Sequence, residues 1–225
     1  MPVASIPVTP PDDALPPEGV LDAALEHLAE RHPDLPLPHH QLHPPHEMGV
    51  VDRFDAKVDA WFDRVRGTEP ADRFLYALTE LGDFGLLWVL LAWTRGLRSE
   101  EDARAALRFT GLLAAESVLV NGLIKNLFKR ERPVVQAERP HRLRIPLTTS
   151  FPSGHSSTAM VAGVLLAQRS SPATKIALFG VGGLVAASRV HVRIHHASDV
   201  LGGLAVGLGL GAVARAVFPL YRRHR

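Results

Sequence analysis

The chain has 225 residues, 46% of them hydrophobic, a formal net charge of +2 and a mean hydropathy of only +0.07. That charge excludes the chain-wide basic field of a nucleic-acid binder, so no nucleic-acid partner is expected. The absence of cysteine excludes disulfides, thiol chemistry and Cys-ligated metal.

The low average hydropathy hides two unlike parts. Residues 1–49 read as a disordered or loosely structured tail rich in Pro and His. Residues 22–31 fit one short amphipathic helix. His32, His39, His40, His43 and His46 invite a metal reading, but the intervening prolines prevent a helical i,i+4 pair and no carboxylate cluster accompanies them. No metal site is expected. The N-terminus lacks a basic stretch followed by an apolar run, so no cleavable signal peptide is expected either.

Residues 50–72 read as an amphipathic helix and a linker. Val51, Phe54, Val58, Trp61, Phe62 and Val65 recur at helical spacing among charged residues. Such a helix lies along a bilayer surface or packs on a bundle.

Residues 73–221 form the expected membrane-embedded domain, followed by a basic tail at 222–225. Five apolar segments succeed one another at about 74–94, 105–128, 155–168, 173–192 and 199–221. Four approach or exceed the roughly 20 residues that cross a bilayer core. The third rises only about 21 Å, so its polar start should sit below the membrane surface. Arg108, Glu116 and Asn121 in the second segment should face the bundle interior over part of its length. Glu80 and Asp83 in the first read as partners of a neighbouring arginine, not as catalytic groups. Gly203, Gly207 and Gly211 repeat every four residues, the small-residue stripe of closely packed membrane helices, and Gly180, Gly182 and Gly183 suggest a second. The fold class is therefore all-α: a multi-pass transmembrane bundle of about five spanning helices plus an N-terminal amphipathic helix, placed in the cell membrane with the lipid bilayer as its partner. Nothing in the sequence sets an oligomeric state.

Three polar clusters interrupt the apolar segments. Lys125 and Arg132 end the second segment; if the helix continued they would lie two turns apart on one side, until Pro133 stops it. Phe151-Pro152-Ser153-Gly154-His155-Ser156-Ser157 opens the third, and backbone N–H groups at such a start bind anions. Ser153 adds a hydroxyl donor, Gly154 permits close approach, and His155 is placed to give a proton to a leaving oxygen. The third cluster runs from Ser188 to Asp199. It supplies Arg189, a planar fork of donors suited to phosphate. It also supplies His195 and Asp199, which share a face if a helix has begun by His195. The alternation of segments brings all three clusters to one side. Cations, backbone donors, an oriented histidine and a second histidine describe a phosphoryl-transfer site that needs no metal and no cofactor.

Lys125-x6-Arg132-Pro133, Pro152-Ser153-Gly154-His155 and Ser188-Arg189-x5-His195-x3-Asp199, in this order, resemble the signature of the type 2 phosphatidic acid phosphatase family, the lipid phosphate phosphatases related to vanadium haloperoxidases and bacterial non-specific acid phosphatases. All three motifs are complete, and the resemblance spans roughly residues 74–220. Members often have six membrane helices, where five are counted here. The resemblance implies that His195 attacks phosphorus and forms a phosphohistidine, with Asp199 orienting it. It implies that Lys125, Arg132, Arg189, Ser153 and Gly154 hold the phosphate oxygens and that His155 protonates the leaving group. The implied substrate is a membrane lipid phosphate or diphosphate. A polyprenyl diphosphate, phosphatidic acid, phosphatidylglycerophosphate and a phosphorylated lipid-linked sugar all stay open. His191 and His196 fall outside these roles and read as structural or surface residues. Two rivals are a non-catalytic lipid-phosphate binder and a vanadate-dependent haloperoxidase-like enzyme. A pure binder needs no nucleophile, and the membrane segments disfavour the second. Arg53, Lys57, Arg64, Arg66 and Arg73 count toward a cytoplasmic site, whereas Arg222, Arg223 and Arg225 count toward a cytoplasmic C-terminus and an external site.

Overall fold

A computed structural model describes residues 49–133, 140–141 and 143–221. The expected helix at 22–31, the five N-terminal histidines and the C-terminal arginines lie outside the described residues. The chain divides into two units, Met1–Met48 and Gly49–Arg225, and the second is a helical bundle.

Seven helices make up the described part of that bundle: α1 Val50–Asp63, α2 Glu69–Leu81, α3 Leu86–Gly96, α4 Glu100–Val118, α5 Gly154–Leu166, α6 Pro172–His191 and α7 Ala197–Val217. Their starts are written locally. The Ser99 hydroxyl accepts the Asp102 N–H at the head of α4, and Ser171 accepts the Thr174 N–H at the head of α6, where Pro172 occupies the first turn. Glu100, Glu101 and Asp102 add negative charge where the α4 dipole is positive.

The amphipathic helix α1 divides its apolar residues between two surroundings. Val58 and Phe62 pack against Ala186, Val190, Ala197 and Val200 of α6 and α7. Val51, Phe54 and Trp61 stay exposed, and the fully buried residue of the helix is the charged Asp55.

The first apolar segment is not one straight span. It breaks after Leu81 into α2 and α3, bent by 60° across the short turn Asp83–Gly85. Phe84 and Gly85 both hold positive φ, 55° and 69°, which no helix accommodates. The second segment runs straight on from α4 through a π-helical stretch, Leu119–Ile124, and a final 3₁₀ turn, Lys125–Leu127. Glu116 faces inward as expected and accepts hydrogen bonds from the Ser157 and Thr158 hydroxyls at 2.6 and 2.8 Å. Arg108 does not; it is exposed and reaches the Leu220 carbonyl.

Three helical stretches are long and apolar enough to cross a membrane, Glu100–Leu127, Pro172–His191 and Ala197–Val217, and the bent pair makes a fourth if it is one span. The remaining expected span, the third apolar segment, is α5; it has 13 residues, ten of them buried, so it is the central helix of the bundle. At 1.5 Å per residue it rises about 20 Å, short of a bilayer core of about 30 Å.

The glycine stripe of α7 seats α5. A Cβ at Gly203 would run into the Ser153 carbonyl, and one at Gly207 into the Ser157 carbonyl. One at Gly211 would come within 3.2 Å of the Val161 Cα. The two backbones therefore touch along the whole of α5, as small-residue packing requires. The second stripe does less: Gly182 meets the Met160 side chain, while Gly180 and Gly183 face open space.

Candidate active site

The α6–α7 connection is a tight loop over residues 192–196. The N–H groups of Ile194 and His195 both donate to the Arg189 carbonyl, and Arg193 takes a positive φ of 51°. This turn holds His195 just ahead of α7, not on it. The helix begins at Ala197 with His196 as its N-cap, and His196 and Asp199 form a capping box. The sequence spacing still brings His195 to Asp199, with Nδ1 3.7 Å from Oδ2, but through a helix cap and not along a helix face.

Asp199 is buried and fully occupied. Its Oδ2 accepts from the Ser150 hydroxyl at 2.5 Å and from the His196 N–H at 2.8 Å. The His196 ring lies 3.2 Å away. Its Oδ1 accepts from Arg130 Nη1 at 2.6 Å. Arg130 Nη2 in turn binds Asp55 of α1 at 2.6 Å, and Asp55 accepts the Ser198 N–H and hydroxyl. The carboxylate that faces His195 is thus fixed by an arginine and, through it, by the amphipathic helix.

The other face of the His195 ring meets cations. Nε2 lies 3.4 Å from Arg132 Nη1, which also donates to the Ile194 carbonyl. The expected two-turn helical relation of Lys125 and Arg132 does not hold, because the helix ends at Leu127 and Phe128 is already extended. They meet instead at Thr148: Lys125 Nζ donates to its hydroxyl at 3.1 Å, and Arg132 donates to its carbonyl. The 143–150 loop therefore folds back over the end of α4, and the Ser150 N–H closes it onto the Arg130 carbonyl.

Arg189 is buried and donates to Thr79 Oγ1 of α2 at 2.8 Å. Ser153 caps α5, accepting from Ser156, and its own N–H donates to the Asp199 carbonyl at 2.9 Å. That bond ties the start of α5 to the start of α7. Gly154 opens α5 against the Asn121 side chain of the π-helical stretch, whose Oδ1 would lie 2.9 Å from a Cβ there. His155, one residue on, has its Nε2 2.9 Å from Asp83 Oδ1. Asp83 was expected to pair with an arginine; its hydrogen bond goes to a histidine because the break between α2 and α3 turns it inward. Glu80 is exposed.

His196 caps α7, and His191 is buried against Asp72 at 2.7 Å. Five contributors escaped sequence reasoning: Asp55, Asp83, Arg130, Thr148 and Ser150. Arg130 and Asp83 carried a signal, as ionisable residues at the ends of apolar segments. Asp55, Thr148 and Ser150 carried none.

Burial pushes the His195 imidazole well below its ordinary value of 6.5; Asp199 opposes this, while Arg189, Arg132 and Lys125 act in the same direction as burial. At neutral pH His195 is therefore uncharged, with a ring nitrogen lone pair available.

A bundle that sinks two histidines, three cations and a helix start at one end of its spans has the build of a membrane-embedded phosphatase. A family model for the PAP2 superfamily matches residues 105–223, and the chain belongs to that superfamily. The decaprenylphosphoryl-5-phosphoribose phosphatase of Mycobacterium tuberculosis is 28% identical over 146 residues, covering 62% of this chain and 76% of that protein. The Mycolicibacterium smegmatis protein of the same name is 33% identical over 133 residues, covering 56% and 68%. The undecaprenyl-diphosphatase BcrC of Bacillus subtilis is 29% identical over 144 residues, covering 62% and 71%. Among solved structures, a transmembrane PAP2-type phosphatidylglycerolphosphate phosphatase from Bacillus subtilis superposes with a TM-score of 0.59 at 21% identity, covering 92% of this chain and 98% of that one. LpxE of Aquifex aeolicus gives 0.57 at 23%, covering 77% and 99%. At these identities the solved structures speak for the fold: an all-helical PAP2 membrane protein.

Proposed function

We propose that this membrane phosphatase removes phosphate from a polyprenyl-linked phosphate or diphosphate in the cell membrane, through a phosphohistidine on His195. The observation that carries the chemistry is the setting of the His195 ring, with Nδ1 on the Asp199 side and Nε2 beside Arg132. The names of the curated relatives support the substrate class, since each names a phosphorylated substrate built on a decaprenyl or undecaprenyl chain.

In this reading the His195 Nε2 lone pair attacks phosphorus. The bond from phosphorus to the leaving oxygen breaks, with its electron pair staying on that oxygen, and His155 supplies the proton. Lys125, Arg132 and Arg189, with the Ser153 hydroxyl and the Gly154 N–H, take up the charge on the remaining phosphate oxygens. Water then attacks the phosphohistidine, losing its proton to His155, and the P–N pair returns to His195. Protein cations supply the charge neutralisation, so the reading calls for no metal.

The test is phosphate release by the detergent-purified chain from a panel of undecaprenyl diphosphate, undecaprenyl phosphate, decaprenylphosphoryl-5-phosphoribose and phosphatidic acid, in chelator. Chelator-resistant release that favours an isoprenoid substrate is expected. A preference for phosphatidic acid overturns the substrate class, and dependence on added metal overturns the mechanism.

A pH profile gives a second check. Neutral His195 is the active form, so activity is lost as pH falls through its depressed pKa. The acid limb of kcat/KM should therefore lie well below pH 6.5. Arg132→Gln removes one cation that opposes the imidazolium. Its acid limb should move to higher pH, on top of a lower rate. A wild-type limb above 6.5, or a downward move in R132Q, contradicts the assignment.

A further inference from the structure

We infer that Asp83 is a positioning residue that holds His155 for proton transfer, and that the break in the first apolar segment exists to deliver it. The inference rests on the reading of His155 as the proton donor.

The break is organised around this contact. Asp83 Oδ1 lies 2.9 Å from His155 Nε2, and both side chains are mostly shielded, at 24% and 15% exposure. Gly82 lets the imidazole reach the turn: a Cβ there would fall 2.9 Å from His155 Cδ2. Gly85 lets the turn press on α4 and α5, since a Cβ there would meet Leu113 at 2.9 Å and Thr158 at 3.3 Å. Phe84 adopts a left-handed backbone and is thrown outward, 83% exposed, with the Arg144 guanidinium 4.5 Å from its ring centroid. The turn thus sends an apolar residue out and a carboxylate in, the placement expected of an ionisable residue within an apolar segment, and such a residue is a functional hypothesis by default. Strained backbone of this kind persists where the surrounding structure demands it. The hydrogen bond of Asp83 goes to His155.

The contact also selects a nitrogen. With Nε2 bound to Asp83, the transferable proton of His155 must sit on Nδ1. His195 has the opposite arrangement, Nδ1 toward Asp199 and Nε2 toward Arg132. The site thus holds two carboxylate–imidazole pairs of opposite ring polarity. Asp199 exposes the Nε2 of a nucleophile; Asp83 exposes the Nδ1 of an acid. When the P–O bond breaks, its electron pair stays on the leaving oxygen and the Nδ1 proton passes to it. The neutral ring keeps its Nε2–H on Asp83, and Nδ1 takes a proton from water in the second half-reaction. The carboxylate stabilises the imidazolium that is spent in the first half-reaction and re-formed in the second, and blocks the wrong tautomer.

Leaving groups separate this role from a structural one. An alkoxide needs a proton as it departs, whereas p-nitrophenolate does not. The full chain in detergent is assayed on phosphatidic acid and on p-nitrophenyl phosphate, as wild type, Asp83→Asn, Asp83→Glu and His155→Ala. Asp83→Asn should lower kcat on phosphatidic acid by about 10- to 100-fold with KM changed by less than about threefold, since general acid catalysis as a whole contributes about 10²- to 10⁴-fold. The loss on p-nitrophenyl phosphate should be much smaller, and Asp83→Glu should recover part of the deficit. Equal losses on both substrates, or none on phosphatidic acid, overturn the inference. His155→Ala should show the same selectivity more strongly; if it does not, the reading of His155 falls instead. The pair itself is read without activity from the ¹⁵N imidazole resonances of His155, assigned by their loss in His155→Ala. A hydrogen-bonded Nε2–H present in wild type should weaken in Asp83→Asn, whose amide oxygen is a poorer acceptor, and disappear in Asp83→Ala; an unchanged spectrum in Asp83→Ala refutes the contact.

Discussion

His195→Ala should reduce phosphate release by on the order of 10⁴-fold or more, down to whatever the cation cluster alone achieves with water. The size follows from the route, since without Nε2 no covalent intermediate forms and both half-reactions are lost together. The fold should survive. The His195 backbone is held by its N–H to the Arg189 carbonyl. Asp199 keeps Arg130, Ser150 and the His196 N–H when the ring is gone, so the variant leaves no orphaned charge, the costly outcome of truncating a buried pair. Arg132 keeps the Ile194 and Thr148 carbonyls. Phosphate binding should therefore persist in a protein that cannot turn over. The measurement is single-turnover release with acid-labile phosphoenzyme trapping, alongside a thermal melt in the same detergent. Release near the wild-type rate removes His195 as nucleophile. Lost release together with a collapsed melt points to folding instead.

The three clusters were legible because each is a polar interruption of an apolar segment. Such residues are expensive in a membrane unless they do something together, and hydropathic alternation puts them at one end. The contacts inside the site were less legible. The spacing of His195 and Asp199 promised a shared helix face, and the contact is made through a cap; a four-residue spacing does not distinguish the two. Lys125 and Arg132 were placed by a helix that in fact stops at Leu127, and they converge only because Thr148 folds back between them.

Two misses have different causes. The break at residues 82–85 had a local signal, because two glycines three apart inside an apolar run mark an interruption. Hydropathy averages over such a signal and read one span. Asp55 had no local signal. On the helical pattern of α1 it is one more polar residue, yet it is the buried one, and its partners Arg130 and Ser198 lie 75 and 143 residues away in sequence. Only tertiary structure turns a surface carboxylate into a support for the site. The N-terminal amphipathic helix, which the family motifs do not include, is thereby joined to the end of the bundle that carries the candidate site.

Asp199→Asn should lower kcat by about 10³- to 10⁴-fold, the scale seen when an orienting carboxylate beside a catalytic imidazole becomes an amide. The shape is conserved and the chemistry is not. Asp199 accepts from three donors, Arg130, Ser150 and the His196 N–H, with the His196 ring 3.2 Å away, besides facing His195. An asparagine has one acceptor oxygen and one NH₂ donor. Whichever way the amide turns, NH₂ faces a donor: Arg130 on one side, or Ser150 and the His196 N–H on the other. If NH₂ takes the Oδ2 place, it can also donate to His195 Nδ1 and drive the proton to Nε2, which consumes the lone pair that should attack phosphorus. If it takes the Oδ1 place, Arg130 loses its acceptor there as well as the charge, and keeps only Asp55 and the Ser198 hydroxyl. Stability should therefore drop as well, by about 1–3 kcal/mol for one imperfectly satisfied buried group. The two effects are separated by measuring kcat well below the melting midpoint and adding Ser150→Ala, which removes one donor from Asp199 without changing its charge. S150A should cost far less in kcat than D199N. If D199N turns over like wild type while its melt shifts downward, Asp199 is a helix cap and nothing more, and the orientation of His195 must come from Arg132 and the loop.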